Sequence, residues 1–209
     1  MRTITDPALA LKAAARGVLD DVFAYEHNAE TCPVYVGRQH QVPGSPPRGY
    51  ARSIVRWLRG KGYTTKVMPH EELWELGGQE VNGCTIGWVP DSEQDKRYKV
   101  FLGDHLNGQA KIATLTHEAA HVALGHPVHS WAEAKRKIRA GALGQIDHGG
   151  QEAACDYGAA ILLRLADHPA YRYRVARLAH NIGDLNEKSI TDGVLVAQTL
   201  LPVIGQSLN

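Results

Sequence analysis

The feature that most constrains the fold is a change of hydrophobic pattern at Gly108. Before this residue, β-branched and apolar runs alternate with turn residues, and the runs at 63–69, 84–90 and 97–103 are typical of strands. After it, apolar residues recur every three to four positions to the end of the chain, which predicts helices. The sequence therefore predicts an α+β fold, in which a small antiparallel sheet precedes an all-helical region.

The predicted helices fall on both sides of this change. The first follows Asp6 and Pro7, a capping residue and a first-turn proline. The predicted helical ranges are 7–27, 50–62, 109–124, 128–141, 150–166, 170–181 and 189–201. Residues 32–37 form either a short strand or an extended segment. We expect a single domain with an N-terminal α+β lobe at about 1–126 and a helical C-terminal lobe at about 127–209.

Composition narrows the class of protein. The 209 residues are 44% hydrophobic and 22% charged, which is typical of a globular domain. A formal net charge of +1 gives no indication of nucleic acid or an acidic partner. The three cysteines form no CxxC pair, so reduced thiols are expected. Because neither a signal peptide nor a membrane span is apparent, the sequence predicts a cytoplasmic protein without a membrane partner.

The candidate chemistry lies in the segment HEAAH, an HExxH motif from His117 to His121. Residues four positions apart on a helix project from one face, so both imidazoles could bind one Zn²⁺. Glu118 lies about 100° round the helix from His117. Its carboxylate is then placed beside the metal, where it could take a proton from the attacking water. The alternative is a solvated helix with unrelated histidines.

The surroundings of the motif favour a metal site. Apolar residues lie on more than one side of the predicted helix, which indicates burial, and buried histidines and glutamate without a partner would be costly. His126 follows nine residues after His117. On a continued helix it would point about 180° away from His117, so we interpret it as a helix-terminal residue rather than a ligand.

A third ligand is predicted in the helix at 150–166. Glu152 and Asp156 share one face of an otherwise apolar helix. A metal-bound Glu152, with Asp156 accepting the outer N–H of a ligating histidine, would satisfy both acids. The alternative is a pair of solvent-facing acids near a helix N-terminus.

Together these segments resemble a known family. The stretch TLTHEAAHVALGH, followed by QEAACDYGAAILL, is similar to the ImmA/IrrE family of zinc metallopeptidases and to the gluzincin pattern. The resemblance covers about residues 97–165 and implies a zincin-like fold. It implies zinc bound by His117, His121 and Glu152, with Glu118 as the general base. Some members of the family cleave a repressor.

Several other residues each have two possible roles. Tyr157 and His148 are candidates to stabilise the oxyanion of a tetrahedral intermediate, or a packed tyrosine and a loop histidine. Cys155 is either a soft zinc ligand or a small buried thiol. The basic run at 135–139, with three arginines of the following helices, is either a solvated face or a patch for a charged partner. Those arginines are Arg172, Arg174 and Arg177.

The expected function is zinc-dependent hydrolysis of peptide bonds. The expected partner is a protein or peptide substrate, and a transcriptional repressor of a phage, mobile element or stress regulon is one candidate. Two alternatives stay open: a non-proteolytic zinc-containing regulatory protein, and a DNA-associated module of antirestriction type. The near-neutral charge makes a nucleic-acid partner the least favoured of these.

Overall fold

The computed structural model describes residues 6–26, 47–77, 82–86, 98–126 and 148–208. Seven α-helices and three strands lie in these ranges. The helices are α1 (Pro7–Glu26), α2 (Tyr50–Gly60), α3 (His70–Gly77), α4 (Gly108–Ala123), α5 (His148–Leu165), α6 (Tyr171–His180) and α7 (Glu187–Leu208), and the strands are β1 (Tyr63–Met68), β2 (Gly83–Ile86) and β3 (Tyr98–Gly103). The described part of the chain is thus mostly helical with one small sheet, as the α+β prediction requires.

The sheet is mixed, and the prediction of an antiparallel sheet is wrong for one of its two pairs. Its strand order is β1-β3-β2. β3 pairs antiparallel with β2 but parallel with β1, and Met68 stands opposite Gly103 at the ends of the parallel pair. The difference arises because the helix α3, which was not predicted, follows β1 and separates it from β2. β3 then enters between them as the central strand.

The helix predictions fare better. α1, α2, α4, α5 and α6 begin and end within two residues of the predicted bounds. At the start of α1, Asp6 Oδ1 accepts hydrogen bonds from the backbone N–H groups of Ala8 and Leu9, each at 3.0 Å, as its capping role predicts. α7 extends seven residues beyond its predicted end, through Pro202 to Leu208. The predictions at 32–37, 87–90 and 128–141 lie outside the described residues.

The hydrophobic core is continuous from the sheet to the last helix. One cluster of buried side chains draws on α1, α2, β1, β3 and α4 as well as on α5, α6 and α7. α5 packs closely against α7, where Gly158 and Gly193 face each other's helices. A Cβ atom at Gly158 would lie 2.8 Å from the Gly193 carbonyl oxygen, so this crossing depends on glycine.

α4 lies between the sheet and α5, and this position brings the HExxH segment into the interior. It contacts β2 and β3 on one side and α5 on the other. Eleven of its sixteen residues are buried. None of the described helices combines the length and hydropathy needed to span a bilayer.

Candidate metal centre

The two histidines of the HExxH motif face one another on α4. The helix begins at a capping residue, Asn107, whose side chain accepts a hydrogen bond from the Ala110 N–H at 2.9 Å. The Nε2 atoms of His117 and His121 lie 3.1 Å apart. His117 is 4% exposed, so its imidazole is almost wholly removed from solvent. The helix therefore presents two nitrogen donors to one point, as the four-residue spacing predicts.

Glu152 of α5 brings a carboxylate to the same point. Its Oε2 lies 3.1 Å from His117 Nε2, and its Oε1 lies 3.2 Å from His121 Nε2. A tetrahedral Zn²⁺ with bonds of about 2.0–2.1 Å places its ligand atoms about 3.3–3.4 Å apart. The three side chains thus have nearly the spacing of a metal-ligand set, and they form a group that could hold a metal ion.

Asp156 lies one turn after Glu152 and contacts the outer nitrogen of His117. Its Oδ1 is 2.7 Å from His117 Nδ1. Two arginines of α6 bind it: Arg174 donates to Oδ1, and Arg177 donates from Nε to Oδ2 at 2.8 Å. The aspartate is fully enclosed by these contacts, since it is 2% exposed. This is the arrangement that keeps a histidine oriented toward a metal.

These contacts change the pKa values of the charged groups. Burial raises the pKa of Asp156, but Arg177, His117 and Arg174 outweigh burial and hold it well below its usual range. Burial likewise lowers the pKa of His117, yet Asp156 and Glu152 raise it to about 9. Partial burial raises the pKa of Glu152 as well, but His117 and His121 outweigh it and keep that pKa well below the ordinary value. Asp156 and Glu152 are therefore held as carboxylates by the positively charged groups around them.

Glu118 is held from the sheet side. Thr85 of β2 donates from Oγ1 to Glu118 Oε2 at 2.6 Å. A Cβ atom at Gly83, two residues earlier, would lie 2.9 Å from Glu118 Oε1 and 2.4 Å from the Thr114 methyl group. Glycine at position 83 therefore lets β2 approach the glutamate closely. Glu118 is 4% exposed, and the hydrogen bond from Thr85 orients its carboxylate against β2, an edge strand of the described sheet.

His126 requires a correction. The prediction placed its side chain about 180° away from His117 on a continued helix, but α4 ends at Ala123. Gly125 adopts a φ of +61°, and the His126 N–H donates to the His121 carbonyl at 3.1 Å. The turn brings His126 Nδ1 to 2.8 Å from His121 Nδ1. His126 thus contacts the nitrogen of His121 that faces away from Glu152.

Cys155 lies beside this contact, with its Sγ 3.8 Å from His126 Nδ1. Together with His121, these two side chains form a further group whose donor atoms are close enough for a metal ion. The thiol is buried, and burial raises its pKa well above the usual value, with Glu152 and Asp156 acting in the same direction. A neutral, buried thiol matches the structural reading of Cys155.

The two candidate oxyanion stabilisers have different outcomes. Tyr157 is 1% exposed, and its hydroxyl donates to the Ala15 carbonyl of α1 at 2.8 Å. The structure therefore packs Tyr157 into the α1–α5 contact and does not bring it to the metal-ligand group. His148 begins α5, but its side chain lies outside the described part of the structure.

The contact of Thr85 with Glu118 was not predicted. A basic patch with Arg172 was one of the readings left open for Arg174 and Arg177, and the structure does not support it, because Arg174 is 2% exposed and both bind Asp156. Only Arg172 of the three is exposed. The available signal was the spacing of the pair, because residues three apart on a helix share a face. The basic run at 135–139 lies outside the described residues.

Comparisons with protein-family models, with curated proteins and with solved structures give no match for this chain. The resemblance to the ImmA/IrrE family therefore rests on the motif residues. The geometry of those residues in the structure is the basis for the function proposed next.

Proposed function

We propose that this protein is a zinc-dependent endopeptidase. The observation that carries the proposal is the convergence of His117 Nε2, His121 Nε2 and the Glu152 carboxylate within 3.2 Å of one another. Two imidazoles and one carboxylate are a donor set that zinc accepts in hydrolytic enzymes, where three protein ligands leave one position for water or substrate. The spacing of the donors fits that ion.

When bound, zinc supplies Lewis-acid chemistry: it polarises the scissile carbonyl and lowers the pKa of the attacking water. The chain's own residues handle the proton. Glu118 accepts it from the water and passes it to the leaving amine. Thr85 orients the carboxylate through Oε2, and Asp156 keeps the His117 ring directed at Glu152.

The position of β2 supports a polypeptide substrate. β2 stands at the edge of the described sheet, beside β3. An extended peptide can add to such an edge through main-chain hydrogen bonds. Because Thr85 of β2 donates to Glu118 and a Cβ at Gly83 would lie 2.9 Å from Glu118 Oε1, a peptide on this edge would pass near the general base. A repressor-like protein as the natural substrate is part of the proposal that rests on the family resemblance.

The test compares zinc-loaded wild type with Glu118→Gln on a mixed-sequence library of quenched fluorescent peptides. Wild type should cleave some members, and Glu118→Gln should lose at least about 10²-fold of that rate while binding zinc normally, because only the base is removed. Glu187→Gln, an exposed acid at the start of α7, is the matched control and should cleave like wild type. Undiminished cleavage by Glu118→Gln would contradict the mechanism.

The same assay separates the principal alternative. A chain that binds one zinc at His117, His121 and Glu152 but cleaves neither peptides nor a repressor-like protein would be the non-proteolytic regulatory protein. The DNA-associated alternative loses part of its support in the structure, because Arg174 and Arg177 bind Asp156 rather than forming an exposed basic patch.

A further inference from the structure

A second group of side chains of the types that bind metals lies at the end of the sheet where β1 and β3 finish. β1 and β3 run parallel, with Met68 opposite Gly103 as their last paired residues. His70 follows β1 after one intervening residue, and Asp104 and His105 follow β3 directly. Parallel strands bring the residues after their carboxyl ends to one edge. The topology thus places two imidazoles and a carboxylate together.

We propose that His70, Asp104 and His105 bind a divalent transition-metal ion such as Zn²⁺. One donor atom of each residue lies within 4.8 Å of the other two. His70 Nδ1 and Asp104 Oδ1 are 3.6 Å apart, close to the spacing of about 3.3–3.4 Å between ligands of a tetrahedral zinc. None of the three residues belongs to the group at His117, so this site does not depend on the proposed function.

The outer nitrogens of both histidines have partners that select one tautomer. His70 Nε2 lies 3.1 Å from Glu71 Oε1, and His105 Nε2 lies 3.1 Å from Asn82 Oδ1. Asn82 donates its amide to the Tyr173 hydroxyl at 3.2 Å, which directs its oxygen toward His105. With Nε2 protonated, each ring presents the Nδ1 lone pair as the ligand. Metal-binding histidines commonly have their second nitrogen satisfied in this way.

Backbone contacts hold the three residues in place. The His70 N–H donates to Asp104 Oδ1 at 3.1 Å, and the Asp104 N–H donates to the Met68 carbonyl at 2.9 Å. At Gly103, a Cβ atom would lie 2.3 Å from His105 Cε1, so only glycine allows the ring to fold back over the end of β3. The site is therefore partly organised before an ion binds.

Exposure distinguishes this site from a buried structural one. The side chains of His70 and Asp104 are 35% and 51% exposed. Water can reach the site and complete the coordination, so we expect weaker binding than at His117, and the fold should not require the ion.

The experiment measures zinc stoichiometry and affinity for the full chain by equilibrium dialysis and elemental analysis, with zinc as the only added ion. Wild type should bind two equivalents. His70→Ala should bind one, with the weaker class of sites lost or weakened at least about tenfold. Asp104→Asn, which keeps an oxygen to accept the His70 N–H, should weaken the same class even if His70→Ala folds poorly. His180→Ala, an exposed histidine of α6, should bind two.

Glu152→Ala separates this inference from the proposed function, since it should lose the tighter equivalent and keep the weaker one. If Glu152→Ala binds one equivalent that His70→Ala in the same chain abolishes, the second site stands whatever the peptidase assay shows. The inference is overturned if wild type binds no equivalent that is sensitive to both His70→Ala and Asp104→Asn.

Discussion

Two histidine clusters in the part of the chain that the structure describes are built in different ways. His117, His121 and Glu152 sit on two packed helices, and Asp156 and two arginines enclose their outer side. His70, Asp104 and His105 sit at strand ends, half-exposed, and are held mainly by backbone hydrogen bonds and a glycine. In the first cluster a buried ionic network positions the donors. In the second cluster, the pairing of the strands positions the donors, and no charge has to be fully buried.

Because of this difference, a mutation in one cluster should destabilise the fold more than a mutation in the other. A charge that is removed from water is stabilised by its ionic partners. When one partner is removed, the remaining charge stays buried without compensation, and this is strongly destabilising. Half-exposed charged side chains stay hydrated, so removing a charged neighbour changes the free energy of unfolding only slightly. Mutations around His117 should therefore change both stability and metal binding, whereas mutations around His70 should change metal binding with little effect on stability.

The largest effect should come from breaking the buried network. Arg174→Met removes a 2% exposed guanidinium that donates to Asp156 and, at 2.8 Å, to the Ala113 carbonyl of α4. We expect the free energy of unfolding to fall by about 3–5 kcal/mol, measured by urea denaturation, because Asp156 loses a buried partner. Arg172→Met on the same helix is exposed and should change it by about 0.5 kcal/mol or less. Equal effects of the two variants would contradict the comparison.

A buried histidine outside both clusters sharpens the contrast. His168 is 2% exposed, and burial lowers its pKa to about 4, whereas carboxylates raise that of His117 to about 9. Below about pH 6.5, His168 is protonated in the unfolded chain but stays neutral in the folded chain until the pH approaches 4. Its contribution to stability is therefore complete above pH 6.5 and is lost as the pH falls toward 4, by up to about 3 kcal/mol.

His168→Asn tests this contribution. The asparagine oxygen can still accept the Ala170 N–H, which His168 Nδ1 accepts at 3.0 Å. In urea titrations between pH 4 and 7, the variant should lose less stability on acidification than wild type does. Parallel pH profiles for the two proteins would show that His168 does not titrate in this way.

The smallest of the three effects concerns the orientation of a ligand. Asp156→Asn keeps the shape of the side chain that contacts His117 Nδ1 at 2.7 Å but removes its charge. We expect zinc affinity at the His117 centre to fall 10- to 100-fold, measured by competition with a chelator. Asp20→Asn, which changes an exposed aspartate of α1, is the control and should leave the affinity unchanged. An unchanged affinity in Asp156→Asn would show that His117 needs no such partner.

The site residues that could be predicted from the sequence are those whose positions follow from helical periodicity. His117, His121, Glu152 and Asp156 were predicted from four-residue spacing, and the structure brings these four together. Such spacing holds only while a helix continues, which is why the position of His126 after the Gly125 turn was wrong. For Tyr157 the sequence left two readings, an oxyanion stabiliser or a packed tyrosine, because its spacing from Glu152 does not show that α1 covers it. The contact with α1 favours the packed tyrosine.

The rest depends on contacts between segments distant in sequence. The parallel pairing of β1 with β3 could not be predicted without α3, a short helix whose one fully buried residue among those described is Leu73. Without that pairing, nothing in the sequence joins His70 to Asp104, 34 residues away, or to His105, which follows Asp104. Thr85 was missed for the same reason, because its contact with Glu118 spans 33 residues and requires the register of the sheet.

The most direct test of the central claim is anomalous diffraction at the zinc absorption edge from crystals of the zinc-loaded chain. The account predicts a peak within about 2.0–2.2 Å of His117 Nε2, His121 Nε2 and a Glu152 oxygen, with the remaining position open to water. The account would be contradicted by a zinc held by His121, His126 and Cys155 instead. A fourth protein ligand that closes the His117 centre, or no peak there, would contradict it equally.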